Sequence, residues 1–452
     1  MTMHAFRLAL GCGLIGAAAP AALAGTPTWS NTLGTPGMTG SYVASFATYD
    51  DGTGNALYAI GQFGSAGGAA GTQNLAKWNG SAWESVGGGL INQFANCLAV
   101  YQGSLIAGGY FDSAGGVADT EKLARWDGTA WHSMDAVQSS FLDSMWDFQV
   151  FDDGSGEKLF IAGNYVDLGG ISGLSHLATW DGTNYAPVGA TIGGAVPLIV
   201  LDLAVADLGS GPHLYAGGRF LEIGGVAANN IAMWDGAAWH ALGGGLTQSS
   251  GFAQVITMTE FDDGNGPALY AGGSFQFAGG NPAVRVAKWD GTNWSPVGAG
   301  FQSTVQELTV FDDGNGPALY AVGSFAAAAG GIDHIAKWNG ASWEQVGAGA
   351  DANCFGAIVA DAGEGTALHI GGSFANAGGL ASNRVVSLIA AGGGCNLADV
   401  AEPYGVLDLA DVQAFIAAFV SGDPLADLVA PFGVLDLADV QAFISEFVGG
   451  CP

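Results

Sequence analysis

The chain has 452 residues, of which 40 are acidic and 10 are Lys or Arg, so its formal net charge is −30. This length suits two or three ordinary domains, or one repeat architecture with a smaller appended segment. Phosphate backbones are bound by clusters of Lys and Arg, and no window of the sequence contains one, which argues against nucleic acid and anionic membrane surfaces as partners.

Residues 1–24 have the features of a secretory signal peptide. Arg7 is the only charged residue, an apolar run follows it, and Ala22-Leu23-Ala24 fits a cleavage site with small residues. No later stretch is long and apolar enough to span a membrane. We therefore expect a secreted protein that is extracellular or associated with the cell surface.

A short phrase, LYAGGSF, recurs in seven versions along the chain. They begin at Leu57, Leu105, Leu159, Leu214, Leu269, Leu319 and Leu368. Every version has glycine at its fifth position, namely Gly61, Gly109, Gly163, Gly218, Gly273, Gly323 and Gly372. Because glycine weakens a strand, its recurrence inside a strand pattern indicates that another backbone or a bulky ring packs closely there.

Each phrase belongs to a longer unit of about 48 to 55 residues. An apolar run and an acidic turn such as FDDGNGP, from Phe311, precede the phrase, and a segment such as IAKWNGASW, from Ile335, follows it. Asn-Gly or Asp-Gly between the paired aromatic residues predicts a hairpin. Four short strands in a unit of this length indicate a propeller blade.

The strand count predicts how the ring closes. Seven third strands run from Asn74 to Arg384, but complete units contain only six fourth strands. The segment TWSNTLG around Trp29 is similar to NWSPVGAG around Trp294, so it can supply the missing strand. We predict an all-β, seven-bladed β-propeller over residues 25–390, with four-stranded blades and an N-terminal strand that closes the last blade; six or eight blades remain alternatives.

The repeat resembles known propeller families. AGGSF at Ala271 and AKWDG at Ala287 are similar to kelch-type propellers and to the related repeats of fungal cortical polarity markers, over about residues 27–390. The resemblance implies a kelch-like propeller fold. It implies little about function, because such folds carry many functions.

A Gly-rich linker, residues 391–395, leads to a second repeat in residues 396–452. ADVAEPYGVLDLADVQAFIAAFV at Ala398 returns as ADLVAPFGVLDLADVQAFISEFV at Ala426, and each half reads as a loop followed by an amphipathic helix. The helical spacing places on one stripe Val412, Phe415, Ile416 and Phe419, and then Val440, Phe443, Ile444 and Phe447.

With its flanking GGGC and GCP, this segment resembles the GC-type dockerins, C-terminal tails of exported planctomycete proteins. The resemblance implies a small α-helical module that binds a cohesin-like partner or a sorting and anchoring receptor. It also implies EF-hand-like calcium loops, with candidate ligands Asp399, Asp408, Asp411, Asp427, Asp436 and Asp439.

The calcium loops depart from the family pattern. Tyr404 and Phe432 occupy positions where an oxygen ligand is expected, which would weaken calcium binding. In the alternative interpretation, Asp408 and Asp436 cap the helix N-termini without tight calcium, and both interpretations stay open.

Four cysteines follow the signal peptide. Cys395 and Cys451 bracket the C-terminal segment and are the predicted disulfide in an oxidising compartment. The spacing leaves open whether Cys97 and Cys354 form a second one.

The search for a catalytic constellation finds none in the sequence. The Arg and His residues are spread through the units without the grouping of a sialidase or a metal site. The acidic turns are explained by Asp side chains capping a tight turn, and the paired Trp by packing between blades. We therefore expect no enzyme.

The loops differ between the two faces of the predicted propeller. The turns on one face are uniform, whereas the loops on the other vary in length and content, as a binding face does. Candidate contact residues on the variable face are Gln93, Phe94, Gln138, Phe141, Gln248, Phe252 and Gln302. The expected function is non-catalytic binding of a glycan or protein, with the dockerin-like tail for surface anchoring or assembly. The alternatives are a polysaccharide lyase or hydrolase, and a structural or adhesive surface protein.

Overall fold

The computed structural model describes residues 26–134, 143–189, 192–193, 198–326 and 331–391, together with Val412, Gln413, Phe415, Ile416, Phe419 and Val440. The chain divides into two compact units, of which the larger comprises Thr26–Gly393. Several predicted residues lie outside the described part: Gln138, Phe141, Cys395, Cys451, Asp399, Asp408, Asp411, Asp427, Asp436 and Asp439.

The described part of the larger unit is built from short strands. The first half of the chain contains β1 (Thr28–Ser30), β2 (Met38–Asp50), β3 (Asn55–Ala66), β4 (Leu75–Trp78), β5 (Trp83–Ser85), β6 (Leu90–Ile91), β7 (Phe94–Tyr101), β8 (Ser104–Tyr110), β9 (Ser113–Ala114), β10 (Leu123–Trp126), β11 (Trp131–Ser133), β12 (Met145–Asp152), β13 (Glu157–Gly163), β14 (Asp167–Leu168), β15 (Ile171–Ser172), β16 (Leu177–Trp180), β17 (Tyr185–Pro187), β18 (Ile192–Gly193), β19 (Ile199–Ala206) and β20 (His213–Arg219). The second half contains β21 (Glu222–Ile223), β22 (Val226–Ala227), β23 (Ile231–Trp234), β24 (Trp239–Ala241), β25 (Leu246–Thr247), β26 (Gln254–Asp262), β27 (Pro267–Ser274), β28 (Phe277–Ala278), β29 (Asn281–Pro282), β30 (Val286–Trp289), β31 (Trp294–Pro296), β32 (Val305–Asp312), β33 (Pro317–Gly323), β34 (Ile335–Trp338), β35 (Trp343–Gln345), β36 (Cys354–Asp361), β37 (Thr366–Gly372), β38 (Asn376–Ala377), β39 (Leu380–Ala381) and β40 (Val385–Ile389).

Most of these strands belong to seven four-stranded antiparallel sheets within residues 26–391. We number them sheet 1 (β2-β3-β4-β5), sheet 2 (β7-β8-β10-β11), sheet 3 (β12-β13-β16-β17), sheet 4 (β19-β20-β23-β24), sheet 5 (β26-β27-β30-β31), sheet 6 (β32-β33-β34-β35) and sheet 7 (β36-β37-β40-β1), and name the strands of each sheet first to fourth in that order. The expectation of an all-β fold made of many small antiparallel sheets is confirmed.

The seven sheets form a closed ring. Each first strand lies beside the first strand of the next sheet, and the first strand of sheet 7 lies beside that of sheet 1. The buried apolar residues form one cluster at each of the seven junctions between these sheets. Because every sheet is covered on both sides, its second strand is a continuous apolar run, as in β33, where Ala318 to Gly323 are all buried.

Sheet 7 is assembled from the two ends of this unit. β1 pairs antiparallel with β40, and Trp29 lies opposite Leu388. Ser30 donates a hydrogen bond from its hydroxyl to Glu364 (2.8 Å), which ties the strand to the turn of the same sheet. The outermost strand of the last sheet therefore comes from the beginning of the described chain.

In six of the seven sheets the turn between the first and second strands is built in the same way, and we call this side of the ring the turn end. In sheet 1, Asp50 accepts hydrogen bonds from the N–H groups of Gly52 (2.8 Å) and Gly54 (2.9 Å). The same arrangement recurs at Asp152, Asp207, Asp262, Asp312 and Asp361. The structure thus shows these Asp residues capping tight turns.

The second Asp of the turn pairs with a Lys in four of these sheets. The pairs are Asp51–Lys77, Asp153–Lys158, Asp263–Lys288 and Asp313–Lys337. In sheet 1 the Lys77 ammonium lies 2.7 Å from Asp51, and the Tyr58 hydroxyl donates to the same carboxylate (3.0 Å). Burial opposes ionisation, but the hydrogen bonds from Lys77, Thr53 and Tyr58 lower the pKa of Asp51 to about 2.

The aromatic residue that leads each fourth strand joins neighbouring sheets. Trp131 of sheet 2 donates from Nε1 to the carbonyl of Val86 (3.1 Å), which follows the fourth strand of sheet 1. Equivalent bonds are made by Trp83, Tyr185, Trp239, Trp294 and Trp343. The paired aromatic residues therefore pack and bond between sheets, as the sequence predicted.

The six described residues of the C-terminal segment are helical. Phe415 is buried, and its ring centroid lies 5.9 Å from that of Phe419. Ile416, which the helical spacing assigned to the same apolar stripe, is 55% exposed. Among the residues that the structure describes, no helix has the length and apolar character needed to cross a bilayer.

Candidate functional site

A β-bulge interrupts the first strand of each of the seven sheets, at the same position. One residue is left out of the pairing with the second strand; in sheet 3, Met145 pairs with Gly163 and Asp147 with Ala162, so Trp146 is extra. The bulged residues are Ala44, Asn96, Trp146, Leu201, Ile256, Gln306 and Phe355. A bulge re-aims a side chain and increases the local twist of the strand.

The recurring glycine of the LYAGGSF phrase explains why the bulge forms here. It pairs with the residue just before the bulge, as Gly218 does with Val200. A Cβ atom on Gly218 would collide with the carbonyl oxygen of Ile199, and a Cβ atom on any of the other six glycines would collide with backbone atoms in or just before the first strand. The first strand can press against the second only where the side chain is absent, so the predicted close approach is confirmed.

The same glycine is held from its other side by the residue that precedes the third strand. Gly218 donates its N–H to the carbonyl of Asn230 (3.0 Å), whose φ of 69° is left-handed. Equivalent left-handed residues are Asn74, Lys122, His176, Arg285, His334 and Arg384. Arg285, His334 and their equivalents thus have structural positions in the ring.

The seven bulged side chains all line one cavity of about 620 Å³ at the centre of the ring. Other lining residues, Phe94, Ile199 and Gln254, are the first residues of their strands, and Arg219 is the last residue of a second strand. The cavity therefore lies at the end of the ring opposite the acidic turns, and we call it the cavity end. The variable loops enter the first strands at this end.

Aromatic rings form much of the cavity wall. Tyr42, Phe94, Trp146 and Phe355 all line it and are half-buried, so part of each ring faces the open space. Tyr42 and Phe355 meet edge to face, with ring centroids 5.2 Å apart. A concave site with aromatic walls and a few polar groups is the usual form of a small-molecule site.

Two polar atoms at the cavity lack a partner among the described residues. Trp146 Nε1 is a buried donor and Asp202 Oδ2 is a buried acceptor, and neither forms a hydrogen bond there. Both residues line the cavity. A buried polar atom without a partner is costly, so each leaves a hydrogen bond that a cavity occupant can supply.

Three carboxyl groups follow the bulges of sheets 3, 4 and 6: Asp147, Asp202 and Glu307. They face the cavity but are otherwise surrounded by protein. Asp147 accepts a hydrogen bond from the Leu203 N–H (2.8 Å), and Glu307 accepts one from the Thr257 hydroxyl (3.1 Å). Thr257 in turn accepts from the Leu308 N–H (3.0 Å), so these groups also join neighbouring first strands.

Burial favours the neutral form of all three carboxyl groups. It raises the pKa of Asp147 to about 7, against the Leu203 hydrogen bond, and it raises the pKa of Glu307 to about 8, with a further contribution from the charge of Asp147. The pKa of Asp202 is raised well above its usual value by burial and by the charges of Asp147 and Glu307. The three carboxyls therefore influence one another across the cavity.

The predicted contact residues that the structure describes lie at the cavity end. Phe94 lines the cavity itself. Gln93, Gln248, Phe252 and Gln302 lie on loops that lead into first strands, and Phe252 is 48% exposed. The Arg219 guanidinium lies 5.6 Å from the centroid of the Phe252 ring, which connects this loop to the cavity wall.

The sequence analysis missed most of the cavity residues. A signal for them exists at the two adjacent positions that vary while their neighbours in the first strand stay apolar: Asn96-Cys97, Trp146-Asp147, Leu201-Asp202 and Gln306-Glu307. Asp and Glu are rarely buried without a partner, so an acidic residue inside an otherwise apolar strand indicates more than core packing. That position, read down the seven units, marks the cavity.

The described residues contain no group of three or more His, Cys, Asp or Glu side chains that could hold a metal ion. Cys97 and Cys354, whose pairing the sequence left open, are free and buried.

Comparison with known proteins gives no family. No family model and no curated protein matches the sequence. Among solved structures, the extracellular domain described as that of a one component system, BT4673, from B. thetaiotaomicron aligns with a TM-score of 0.45 and 9% identity, covering 80% of this chain and 39% of that chain. The same domain described as part of a hybrid two component system has the same TM-score and identity and is covered to 40%. The chain thus spans about two fifths of the length of both.

Proposed function

We propose that the ring is a seven-bladed β-propeller whose central cavity binds a glycan without catalysing a reaction. Seven sheets around the ring, seven apolar junctions and the pairing of β1 with β40 support the propeller assignment. The first strands line the centre and the fourth strands lie outermost, as in propeller blades. Closure leaves no sheet edge at the junction between the first and last blades.

The proposal of glycan binding rests on the aromatic and polar residues that line the cavity. Sugar rings offer apolar C–H faces that stack on aromatic rings and hydroxyl groups that both donate and accept hydrogen bonds. The cavity provides both kinds of partner, with four half-buried aromatic rings and the unpartnered Trp146 Nε1 and Asp202 Oδ2. Asn96, Gln254 and Gln306 add amide groups to the same wall. Its volume of about 620 Å³ suits a short stretch of sugar units rather than a protein segment.

The carboxyl groups favour binding over catalysis. Asp147 and Glu307 each accept a hydrogen bond that joins neighbouring first strands, which gives both groups a structural role in the ring. Polysaccharide hydrolysis is a second candidate function, because carboxyls with raised pKa values beside a cavity are also the groups that a hydrolase uses as general acids.

The tail completes the proposal. We propose that residues 396–452 form a dockerin-like module that anchors the exported protein at the cell surface, through a cohesin-like partner or a sorting receptor, with calcium as a candidate ligand of its loops. The helical state of Val412, Gln413, Phe415, Ile416 and Phe419 supports one of its helices. Fractionation of a host that exports the full chain or a version ending at Gly394 tests this: release of only the shortened form supports anchoring, and equal distribution contradicts it.

Binding is tested by applying the purified full chain to immobilised neutral, acidic and amino-bearing oligosaccharides. We expect retention by at least one class, and a loss of at least tenfold in affinity for Trp146→Ala, as for an aromatic hot spot. Val100→Ala, which shortens an exposed apolar side chain at the turn end of the first strand of sheet 2, is the control and is expected to bind within about twofold of the native chain.

Three outcomes contradict the proposal. Retention by no oligosaccharide removes glycan binding. Loss with Phe252→Ala but not with Trp146→Ala moves the ligand from the cavity to the loops. Shortening of the bound oligosaccharide by the native chain, abolished by Glu307→Gln, replaces binding with hydrolysis.

A further inference from the structure

We infer that the cavity selects glycans that carry a free ammonium group, that is, amino sugars whose nitrogen is not acetylated. This inference rests on the proposed glycan binding and adds the chemical class of the ligand. The observations behind it are the placement of three acidic side chains in the cavity wall, the orphaned carboxyl oxygen of Asp202 and the aromatic rings around them.

The acidic groups in the cavity wall come from three of the seven sheets. Asp147, Asp202 and Glu307 belong to sheets 3, 4 and 6, and each follows a bulge that points its neighbour into the cavity. Arg219 is the one cationic side chain among the lining residues that the structure describes, and its guanidinium is already engaged with the Phe252 ring at 5.6 Å. The cavity therefore has more acidic than basic groups within a poorly solvated space.

An unpaired acceptor lies among these groups. Asp202 Oδ2 receives no hydrogen bond from any described residue, although a carboxylate oxygen in such a place normally has one. An ammonium group has three donors and no acceptor, so it can supply the missing bond and neutralise charge at once. A sugar hydroxyl supplies the bond alone.

The aromatic wall favours the same ligand. The face of an aromatic ring attracts a cation, by about 0.5–2 kcal/mol per contact, more when water is excluded. Tyr42, Phe94, Trp146 and Phe355 line the cavity together with the carboxyls. Aromatic rings combined with carboxylates recognise ammonium groups, because a carboxylate forms a stronger, charge-assisted hydrogen bond with an ammonium than with a neutral hydroxyl.

The acidic groups are protonated in the empty cavity over part of the physiological range, and this sets the expected pH dependence. Burial raises the pKa values of Asp147 and Glu307 to about 7 and about 8. The other titratable lining groups are Asp202, Tyr42, Cys97 and Arg219, and burial raises the pKa values of Tyr42 and Cys97 further from neutrality. An entering cation favours the ionised carboxyls, so it must expel protons, and its affinity must rise with pH until the carboxyls are ionised.

The test compares oligosaccharides of one length and backbone with the full chain. The probes are a glucosamine tetrasaccharide whose amino groups are converted to guanidinium groups, which stay charged at every pH used and keep N–H donors for Asp202, and the neutral N-acetylated tetrasaccharide. Calorimetry at about pH 9 is expected to show the charged probe binding about tenfold more tightly than the neutral one. At about pH 5.5 the preference is expected to fall to about twofold, because protons then occupy the carboxyls.

Two further measurements keep the result independent of any single variant. In two buffers that differ in ionisation enthalpy, the charged probe is expected to release protons at about pH 7, and the neutral probe is not. Glu307→Gln and Asp147→Asn are each expected to bring the ratio of the two affinities at about pH 9 close to one. Glu344→Gln, which removes an exposed carboxylate from the fourth strand of the same sheet as Glu307, is expected to leave the ratio unchanged.

The outcomes separate this inference from the function beneath it. Binding of the neutral probe with an equal affinity for the charged one at every pH overturns the inference and leaves glycan binding intact. A preference for the charged probe without proton release, or one that Glu344→Gln removes as well, assigns the effect to the overall negative charge and also overturns it. Binding of neither probe, together with no retention on other oligosaccharides, overturns the proposed function itself.

Discussion

Acidic residues lie at both ends of the first strands, but their hydrogen-bonding differs between the two ends. At the turn end, Asp50 and Asp51 have their oxygens satisfied by turn N–H groups, Lys77 and Tyr58. At the cavity end, Asp202 keeps an oxygen without a partner among the described residues, and burial raises the pKa values of Asp147 to about 7 and of Glu307 to about 8. Fully satisfied acidic groups stabilise a fold, whereas partly satisfied ones are retained where a ligand completes them.

We expect the most destabilising substitution to lie at the turn end. Asp51→Ala leaves the Lys77 ammonium, 8% exposed, without its partner. Losing one member of such a pair costs about 3 kcal/mol of unfolding free energy, because the remaining charge is buried alone. Urea unfolding of the native and variant chains measures it.

Two variants act as controls for this loss. Asp50→Ala removes only the turn hydrogen bonds of an exposed side chain and is expected to cost about 1 kcal/mol. Asp51→Ala combined with Lys77→Met removes both charges and is expected to recover most of the stability. Equal losses for Asp50→Ala and Asp51→Ala would show that the ion pair contributes nothing beyond the turn.

At the cavity end, the close approach that accompanies the bulge can be removed by substituting the recurring glycine. Gly61→Ala places a methyl group against the carbonyl of Tyr42, and the first strand must move away. We expect a loss of about 2 kcal/mol, in the range of overpacked sites, and a change in the cavity. Gly64→Ala, in the same strand but with the nearest atom 3.5 Å away, is expected to change stability by less than about 0.5 kcal/mol. Similar effects of the two substitutions in thermal unfolding would contradict the role assigned to the recurring glycine.

The acidic groups at the two ends are expected to change the stability of the protein with pH in opposite directions. The pKa of Asp51, lowered to about 2, gives stability that is present above its unfolded value near 4 and is lost as the pH falls toward 2. The pKa of Glu307, raised to about 8, gives the reverse: stability is greatest below about pH 4.5 and is lost as the pH rises to 8.

Glu307→Gln isolates the second effect. Because glutamine does not ionise, the variant is expected to gain stability relative to the native chain between about pH 5 and pH 8, by on the order of 1–2 kcal/mol after allowance for solvent in the cavity. Denaturant unfolding at several pH values measures the difference. A constant difference across this range would show that Glu307 does not titrate there.

The smallest expected effect concerns the contacts between sheets. Trp131 donates from Nε1 to Val86, whereas Trp126, its neighbour in the same sheet, has no partner for Nε1 among the described residues. Trp131→Phe should therefore cost about 1 kcal/mol more than Trp126→Phe, which is the net value of one hydrogen bond. Equal losses in urea unfolding would remove the bond from the account of sheet packing.

The features that repeat along the chain were predictable, and those that do not repeat were harder to find. The turn chemistry of Asp50 and the packing of Trp131 follow from patterns that recur in six of the seven units, where one physical cause acts repeatedly. The closeness of Gly61 to the first strand also followed from its recurrence. The bulge itself did not, because glycine indicates close approach but not which residue leaves the pairing.

The cavity could not be derived from local patterns. Trp146, Asp202 and Glu307 are separated by about 50 to 160 residues and meet only because the ring is closed. The contact residues predicted from the sequence lie in loops at the same end of the ring as the cavity, and one of them, Phe94, lines it. The strand residues were not predicted because each has apolar neighbours on both sides in the sequence, which is also the pattern of a core strand.

The pairing of β1 with β40 has a kinetic consequence. Sheets 1 to 6 each come from one continuous stretch of chain, so they can form from local contacts, but sheet 7 joins Thr28–Ser30 to Val385–Ile389. Contacts so far apart in sequence form late, because the chain entropy of closing the loop must be overcome first. Until then β40 is an open sheet edge that can pair with β1 of another molecule. Such an exchange would link rings into domain-swapped chains. The speed with which β1 finds its own ring therefore decides whether crowded, newly made molecules remain separate.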